Sequence, residues 1–180
     1  MYHCGTAPVA AHIANGMYGA LIVDPRTPRP PAQELVLVQS EFYLAPPRGP
    51  DSLRSLNWDK VLNAFPDYVV FNGVNSRYAT HPIPVRVAKP IRLFVVNAGP
   101  NRISSFHVVG AIFDRVLADG FGRPFEGMQT WNVPVGGGAI FELRLKEPGL
   151  YPFVTHAFAD ATKGTVGVFK AGKPEAAAAR

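Results

Sequence analysis

Prolines and glycines interrupt this chain so often that long helices cannot form in it. The 180 residues include 18 prolines and 17 glycines. Proline lacks the amide hydrogen that helix interiors and sheet ladders need, and glycine favours turns. Between these interruptions lie short runs rich in apolar and β-branched residues, which are typical of strands. The spacing predicts an all-β sandwich with many turns.

Nine such runs are predicted strands. They cover residues 19–24, 35–43, 68–71, 85–96, 104–117, 127–133, 139–145, 151–156 and 165–169. Turn-forming pairs such as Asn72-Gly73 and Gly99-Pro100 separate them. One short helix is predicted within residues 51–66, with Asp51 as its N-cap.

The composition excludes several classes of partner. No apolar run approaches 18 residues, so no membrane span is predicted. The net charge of +5 comes from scattered basic residues, and this pattern predicts no nucleic-acid surface. The one cysteine rules out an internal disulfide and leaves the compartment open. No signal peptide is visible, which we expect of a chain that is truncated at its N-terminus.

A set of metal-binding side chains lies close together near the start of the chain. Cys4, His12 and Met17 occur in one loop of small residues, and His3 directly precedes the cysteine. A lone cysteine is often only a small buried hydrophobe, and zinc also accepts a cysteine with histidines. A thiolate, an imidazole and a thioether that converge from one loop favour copper instead. A complete blue copper site needs a second imidazole, and none lies nearby in the sequence.

Five segments of the chain together resemble the copper-containing nitrite reductases, a family built from two cupredoxin domains. The matching segments are residues 2–19, 68–73, 96–100 and 104–114, and the histidine at position 156. The resemblance covers nearly the whole chain and implies the C-terminal two-thirds of such a protein. It implies a cupredoxin-like Greek-key β-sandwich, with one complete domain and the C-terminal piece of a preceding one.

The resemblance also suggests how the chain is divided. Residues 1–24 would be the remnant of the first cupredoxin domain and would contain a type 1 copper loop. Residues 25–33 form a proline-rich linker, because proline cannot join a sheet ladder. Residues 34–171 would be the second cupredoxin domain, and 172–180 a disordered tail.

Site residues follow by the same resemblance. Cys4, His12 and Met17 would bind the type 1 copper, and His3 and His156 the type 2 copper. Neighbouring strand residues point to opposite faces, so Cys4 can face its own domain while His3 faces another subunit. A homotrimer is implied, in which His3 of one subunit meets His156 of the next.

His107 would be the catalytic histidine that moves protons. From the residues alone, it could equally be a core histidine bonded to the backbone, because it lies between Phe106 and Val108. His156 is ambiguous without the resemblance, and His81 matches no motif and is expected at the surface.

The implied activity is one-electron reduction of nitrite to nitric oxide, with electrons from a cupredoxin or cytochrome c. The implied location is periplasmic or extracellular. One type 1 histidine, one type 2 histidine and a catalytic aspartate of the family cannot be placed in this chain, so we expect it to be inactive when isolated.

Two alternative functions remain. A laccase-like multicopper oxidase would need a His-Cys-His run, but Gly5 follows Cys4. A non-catalytic cupredoxin remnant would fold without complete copper sites.

Overall fold

The computed structural model describes residues 1–172, which contain twelve strands and four short helices. In chain order these are β1 (Tyr2–His3), α1 (Val9–Ala14), β2 (Tyr18–Gly19), β3 (Gln33–Phe42), α2 (Trp58–Leu62), β4 (Tyr68–Phe71), α3 (Arg77–Thr80), β5 (Ile83–Arg86), β6 (Ile91–Gly99), β7 (Ser104–Val108), β8 (Arg115–Ala118), β9 (Thr130–Val133), β10 (Gly138–Leu143), β11 (Gly149–Thr155), α4 (Phe158–Ala161) and β12 (Val166–Gly172). None of these helices is long and apolar enough to cross a membrane. The predicted tail beyond Gly172 lies outside the described residues.

Ten strands form two five-stranded sheets. The first sheet has the order β4-β3-β6-β10-β8, and the second has the order β5-β12-β11-β7-β9. β3 runs parallel to β6 and β5 parallel to β12, whereas the other pairs within these sheets are antiparallel. Most neighbours in a sheet are distant in sequence, because the chain crosses repeatedly between the sheets in the manner of a Greek key. The prediction of an all-β sandwich is confirmed.

Phenylalanines from both sheets fill the space between them. Six are essentially inaccessible to solvent: Phe71, Phe106, Phe113, Phe141, Phe153 and Phe169. Phe106 and Phe141 have ring centroids 4.9 Å apart, and Phe153 and Phe169 are 4.5 Å apart. Burying each such side chain contributes about 1.5–3 kcal/mol, so this aromatic layer supplies much of the stability of the sandwich.

Two of the predicted strands are each split by a turn. The run 85–96 becomes β5 and β6, because Ala88 adopts a positive φ of 58° between them. The run 104–117 becomes β7 and β8, and Gly110 has a φ of 77° in the gap. An apolar run does not show where the chain turns, and Val109 and Ile112, which lie in the second gap, are apolar but exposed.

Two other local predictions were wrong. The helix begins at Trp58, and Asn57 is its cap, because the Asn57 side chain accepts a hydrogen bond from the backbone N–H of Lys60. The predicted strand 19–24 is reduced to β2, since its partner β1 offers only two residues for pairing. Asp51 lies well before the helix and does not cap it.

The proline-rich segment crosses the outer face of the first sheet. Residues 20–32 contain no helix or strand. The buried guanidinium of Arg92 in β6 donates to the backbone carbonyl of Pro30 and also pairs with Glu34 and Glu142. Arg29 lies over the ring of Phe94, 5.7 Å from its centroid. These contacts position the N-terminal elements against the large sandwich.

Helix α1 packs against the sandwich through small apolar residues. Ala14 forms a cluster with Tyr43, which directly follows β3, and with Val61 of α2. Ile13, next to Ala14, is also buried. The helix that contains His12 is therefore seated on residues that belong to the large sandwich.

Candidate metal centres

The first candidate centre forms where β1 and α1 approach each other. Cys4 follows β1 directly, and its Sγ lies 3.4 Å from Nδ1 of His12 in α1. The backbone N–H of Cys4 donates to the carbonyl of Met17 at 2.9 Å, which continues the β1–β2 pairing. Gly16 makes the sharp return after α1 with a φ of 93°, a conformation that other residues rarely adopt. All three predicted type 1 residues thus belong to one short closed loop.

The spacing of Cys4 and His12 suits a shared metal ion. Metal–sulfur and metal–nitrogen bonds of about 2.3 and 2.0–2.1 Å at a tetrahedral centre place the two ligand atoms about 3.6 Å apart. The observed 3.4 Å between Sγ and Nδ1 is close to this value. A thiolate beside an imidazole is a donor set that copper accepts. The side chains therefore fit the predicted metal.

Met17 and His3 are both exposed to solvent. Met17 is 51% exposed, and its backbone carbonyl and N–H hydrogen-bond with the backbone of Cys4 and of His12. His3 is exposed, whereas Cys4 is half-buried, as expected of neighbours that face opposite ways. His3 Nδ1 lies 2.8 Å from the backbone carbonyl oxygen of Cys4.

The second candidate centre brings together two histidines that are far apart in sequence. His107 lies in β7 opposite Val154 of β11, and His156 follows the end of β11. The two imidazole centroids are 5.2 Å apart with an interplanar angle of 80°. The backbone N–H of His156 donates to the carbonyl of Ser105 at 2.7 Å. The pairing of β7 with β11 therefore places both rings at one end of the second sheet.

A hydrogen bond determines which nitrogen of His107 is free. His107 Nδ1 lies 2.7 Å from the carbonyl oxygen of Gln129, and Thr130 Oγ1 lies 3.2 Å from the same nitrogen. A carbonyl oxygen can only accept, so Nδ1 carries a proton, and Nε2 is left to exchange one. Sequence analysis missed Gln129 and Thr130. Thr130 pairs with His107 across β7 and β9, and only this register reveals the contact.

Not all predicted residues come together. Within residues 1–172, no group of three or more His, Cys, Asp or Glu side chains is close enough to hold a metal ion. His3, His107 and His156 therefore do not form one cluster in a single chain. His81, which was expected at the surface, is exposed and follows α3.

Solved structures with the same fold are copper enzymes. A copper nitrite reductase from Nitrosomonas europaea superposes with a TM-score of 0.84 and 31% identity, over 96% of this chain and 61% of that one. A multicopper oxidase superposes with a TM-score of 0.81 and 30% identity, over 95% of this chain and 55% of that one. The fold therefore defines the chain as a cupredoxin-like β-sandwich protein.

Sequence comparison narrows this class to one family. The copper-containing nitrite reductase of Neisseria gonorrhoeae is 41% identical over 173 residues, which cover 94% of this chain and 44% of that relative. No protein-family model matches the chain. The chain is similar to copper-containing nitrite reductases over nearly its whole length, and it spans a little under half the length of this curated relative. The predicted resemblance to copper-containing nitrite reductases is confirmed, and the relative and the structural neighbours named above are copper enzymes by name.

Proposed function

We propose that this chain takes part in the one-electron reduction of nitrite to nitric oxide in a copper-dependent enzyme. The observation that supports this most directly is the contact between Cys4 and His12, because Sγ and Nδ1 are spaced for one metal ion. His3 is adjacent to Cys4 and faces solvent. One backbone step thus separates an electron-storing thiolate from a second metal-binding imidazole.

In this proposal Cys4, His12 and Met17 hold the type 1 copper, and His3 and His156 hold the type 2 copper. When bound, copper would supply one-electron transfer at the first site and Lewis-acid binding of nitrite at the second. The short loop that joins Cys4 to Met17 keeps the thiolate close to His12. The half-exposed Met17 leaves that site open to an electron donor at the surface.

His107 supplies protons in the proposed reaction. Nitrite, one electron and two protons give nitric oxide and water, so each turnover needs a proton donor near the departing oxygen. The Nδ1 proton of His107 is held by the Gln129 carbonyl, which leaves Nε2 to take up and release a proton. His107 lies beside His156, where nitrite would bind. An imidazole is the side chain best suited to this exchange near neutral pH.

We further propose an assembly in which copies of the chain complete each other. Since no group of three His, Cys, Asp or Glu ligands forms within residues 1–172, a homotrimer in which His3 of one subunit meets His156 of the next would add ligands to the second site. In the same proposal, residues 1–24 belong to a first cupredoxin domain, 25–33 are a linker and 34–171 form a second domain. The electron donor is a small cupredoxin or cytochrome c, and the location is periplasmic or extracellular.

A chimera tests the proposed reaction. This chain would replace the segment it aligns with in the gonococcal relative, and the product would be loaded with copper. We expect nitric oxide to form from nitrite with a donor that reduces the thiolate-bound copper. A folded chimera with full copper content and no nitric oxide would contradict the proposal.

A laccase-like oxidase is the second candidate, favoured by the likeness to the multicopper oxidase. Gly5 stands where an oxidase would have a second histidine after the cysteine, and this residue argues against it. Oxygen consumption with a phenol, in the absence of nitrite, would support the oxidase. A third possibility, a non-catalytic remnant, would show neither activity after copper loading.

A further inference from the structure

An ion pair with a buried carboxylate lies in the turn that follows His156. Arg102, in the loop that joins β6 to β7, donates a hydrogen bond from Nε to Oδ2 of Asp160 in α4 at 2.9 Å. The Asp160 side chain is only 2% exposed. A carboxylate so far removed from water is tolerated only with a compensating partner, so this pair constrains where α4 lies.

The arginine end of the pair is held by a second buried carboxylate. Glu41 in β3 accepts hydrogen bonds from the backbone N–H groups of Asn101 and Arg102 at 3.0 and 2.6 Å. The hydroxyl of Tyr43 also donates to Glu41. The loop that contains Arg102 is thereby anchored to the first sheet.

The aspartate end is tied to the turn that begins after His156. The backbone N–H of Asp160 donates to the carbonyl of Ala157 at 2.7 Å, and Thr165 Oγ1 donates to the carbonyl of Asp160 at 2.8 Å. Phe158, in the same turn, contacts the imidazole of His156, with ring centroids 4.7 Å apart and an interplanar angle of 72°. The ring of His156 therefore contacts both Phe158 and His107, and the two imidazole centroids are 5.2 Å apart.

We propose that Arg102 and Asp160 are positioning residues for His156. Within residues 1–172, neither side chain is hydrogen-bonded to the imidazole. They fix the turn that holds Phe158 against it, and this limits the orientations that the ring can adopt. A metal-binding imidazole has to be held within about 0.5 Å of its productive position, and residues behind the ligands usually provide that restraint. The inference rests on the proposed role of His156 as a metal ligand, but the position of the ring can be measured without metal.

The experiment uses the full chain without metal, labelled for nuclear magnetic resonance. The two disrupting variants are Asp160→Asn and Arg102→Gln, and Arg102→Lys retains the charge. Asp114→Asn is the control, because it removes an exposed ion pair elsewhere on the sandwich. The readouts are the nuclear Overhauser contacts between the His156 and Phe158 rings and the exchange rate of the His156 backbone amide.

We expect both disrupting variants to weaken the ring contacts and to speed exchange of the His156 amide by roughly tenfold or more. Arg102→Lys should restore part of the contacts, and Asp114→Asn should leave them unchanged. Amides in the centre of β3 and β6 should keep their protection in every variant. If Asp160→Asn does not fold, Arg102→Gln decides the matter, because the Arg102 side chain is already 35% exposed and is easier to replace.

Unchanged His156 contacts in a folded disrupting variant would overturn the inference. So would a loss of protection that is equal throughout the core, because it would show a general structural role. If only the proposed reaction is wrong, the outcome differs from this. The chimera would make no nitric oxide, but the His156 contacts would still weaken in Arg102→Gln and Asp160→Asn. The two ideas are therefore tested separately.

Discussion

Cys4 and His12 are the pair of side chains that decides which ligands the N-terminal loop can bind. Their Sγ–Nδ1 distance of 3.4 Å arises from two short elements that fold back on each other, because Gly16 permits the turn after α1. The contact gives the loop a soft ligand pair, and copper and other thiophilic ions accept such a pair.

Replacing Cys4 should abolish the metal signature of this loop. We expect the chain titrated with Co²⁺ to show a thiolate-to-metal charge-transfer band, and we expect Cys4→Ala to lack it, since the thiolate is the source of that band. Absorption spectroscopy during the titration is the measurement. The matched control is His81→Ala, which removes an exposed histidine outside both candidate centres. A band that survives in Cys4→Ala would disprove the assignment of Cys4.

His107 and His156 should respond differently to substitution, although their rings touch. In the copper-loaded chimera, His107→Ala should keep its copper but lose about 10²–10⁴-fold in turnover, because it removes only a proton-transfer group. His156→Ala should lose copper itself, because it removes a ligand. Metal analysis beside the nitrite assay distinguishes the two variants. Equal copper loss in both would mean that His107 is a ligand or a structural histidine.

At the scale of elements, β12 shows how closely the sandwich is packed. Gly167 pairs with Phe153 of β11, and a Cβ at Gly167 would overlap the Phe153 ring. The ring therefore occupies the space that any side chain at this position would need. Gly172, in the same strand, has no heavy atom of residues 1–170 within 4 Å of where its Cβ would be.

This difference predicts the cost of two alanine substitutions. Gly167→Ala should lower the free energy of unfolding by about 1–3 kcal/mol, because the core ring has to move. Gly172→Ala should change it by less than about 0.5 kcal/mol, as an open position does. Urea unfolding of both variants is the measurement. Equal effects at the two positions would show that strand propensity, rather than packing against Phe153, determines the result.

At the scale of the whole molecule, buried carboxylates couple stability to pH. Burial raises the pKa of Glu41 above its ordinary value of 4.5, although hydrogen bonds from Tyr43 and from the backbone of Arg102 and Asn101 act in the opposite direction. The negative charge of nearby Asp160 also raises the pKa of Glu41. The folded protein therefore retains the Glu41 proton over a pH range in which the unfolded chain has lost it. The contribution of protonated Glu41 to the free energy of unfolding is fully present below about pH 4.5. It decreases as pH rises through the higher pKa that Glu41 has in the folded state.

Glu41→Gln should remove this dependence. We expect the free energy of unfolding of the parent chain, minus that of Glu41→Gln, to decrease from pH 4 to pH 8, as measured by urea unfolding. Asp67→Asn is the comparison. Burial alone would raise the pKa of Asp67, but hydrogen bonds from Lys60 and from the backbone of Leu44 lower it below 3.8. The Asp67 contribution is therefore already present above pH 4 and should not decrease over this range. A Glu41 difference that rises with pH would contradict the prediction.

The sequence by itself determined the fold class and the identity of most candidate site residues. Proline and glycine spacing excluded long helices, and short apolar and β-branched runs predicted strands, because both are local properties of the chain. The Cys4, His12 and Met17 set was also local, since all three residues lie in one loop. The histidines at 107 and 156 needed the family resemblance, because nothing in their own segments distinguishes them from core histidines.

Only the tertiary structure decided which distant residues meet. The register of β7 with β9 and β11 brings His107 beside His156 and within hydrogen-bond distance of the Gln129 carbonyl. The turns that split two predicted strands contain apolar residues that are exposed, such as Val109 and Ile112, so an apolar run could not reveal them. The pair formed by Arg102 and Asp160 joins residues 58 positions apart. Such contacts depend on how the two sheets pack, and packing is a property of the whole chain that no local pattern records.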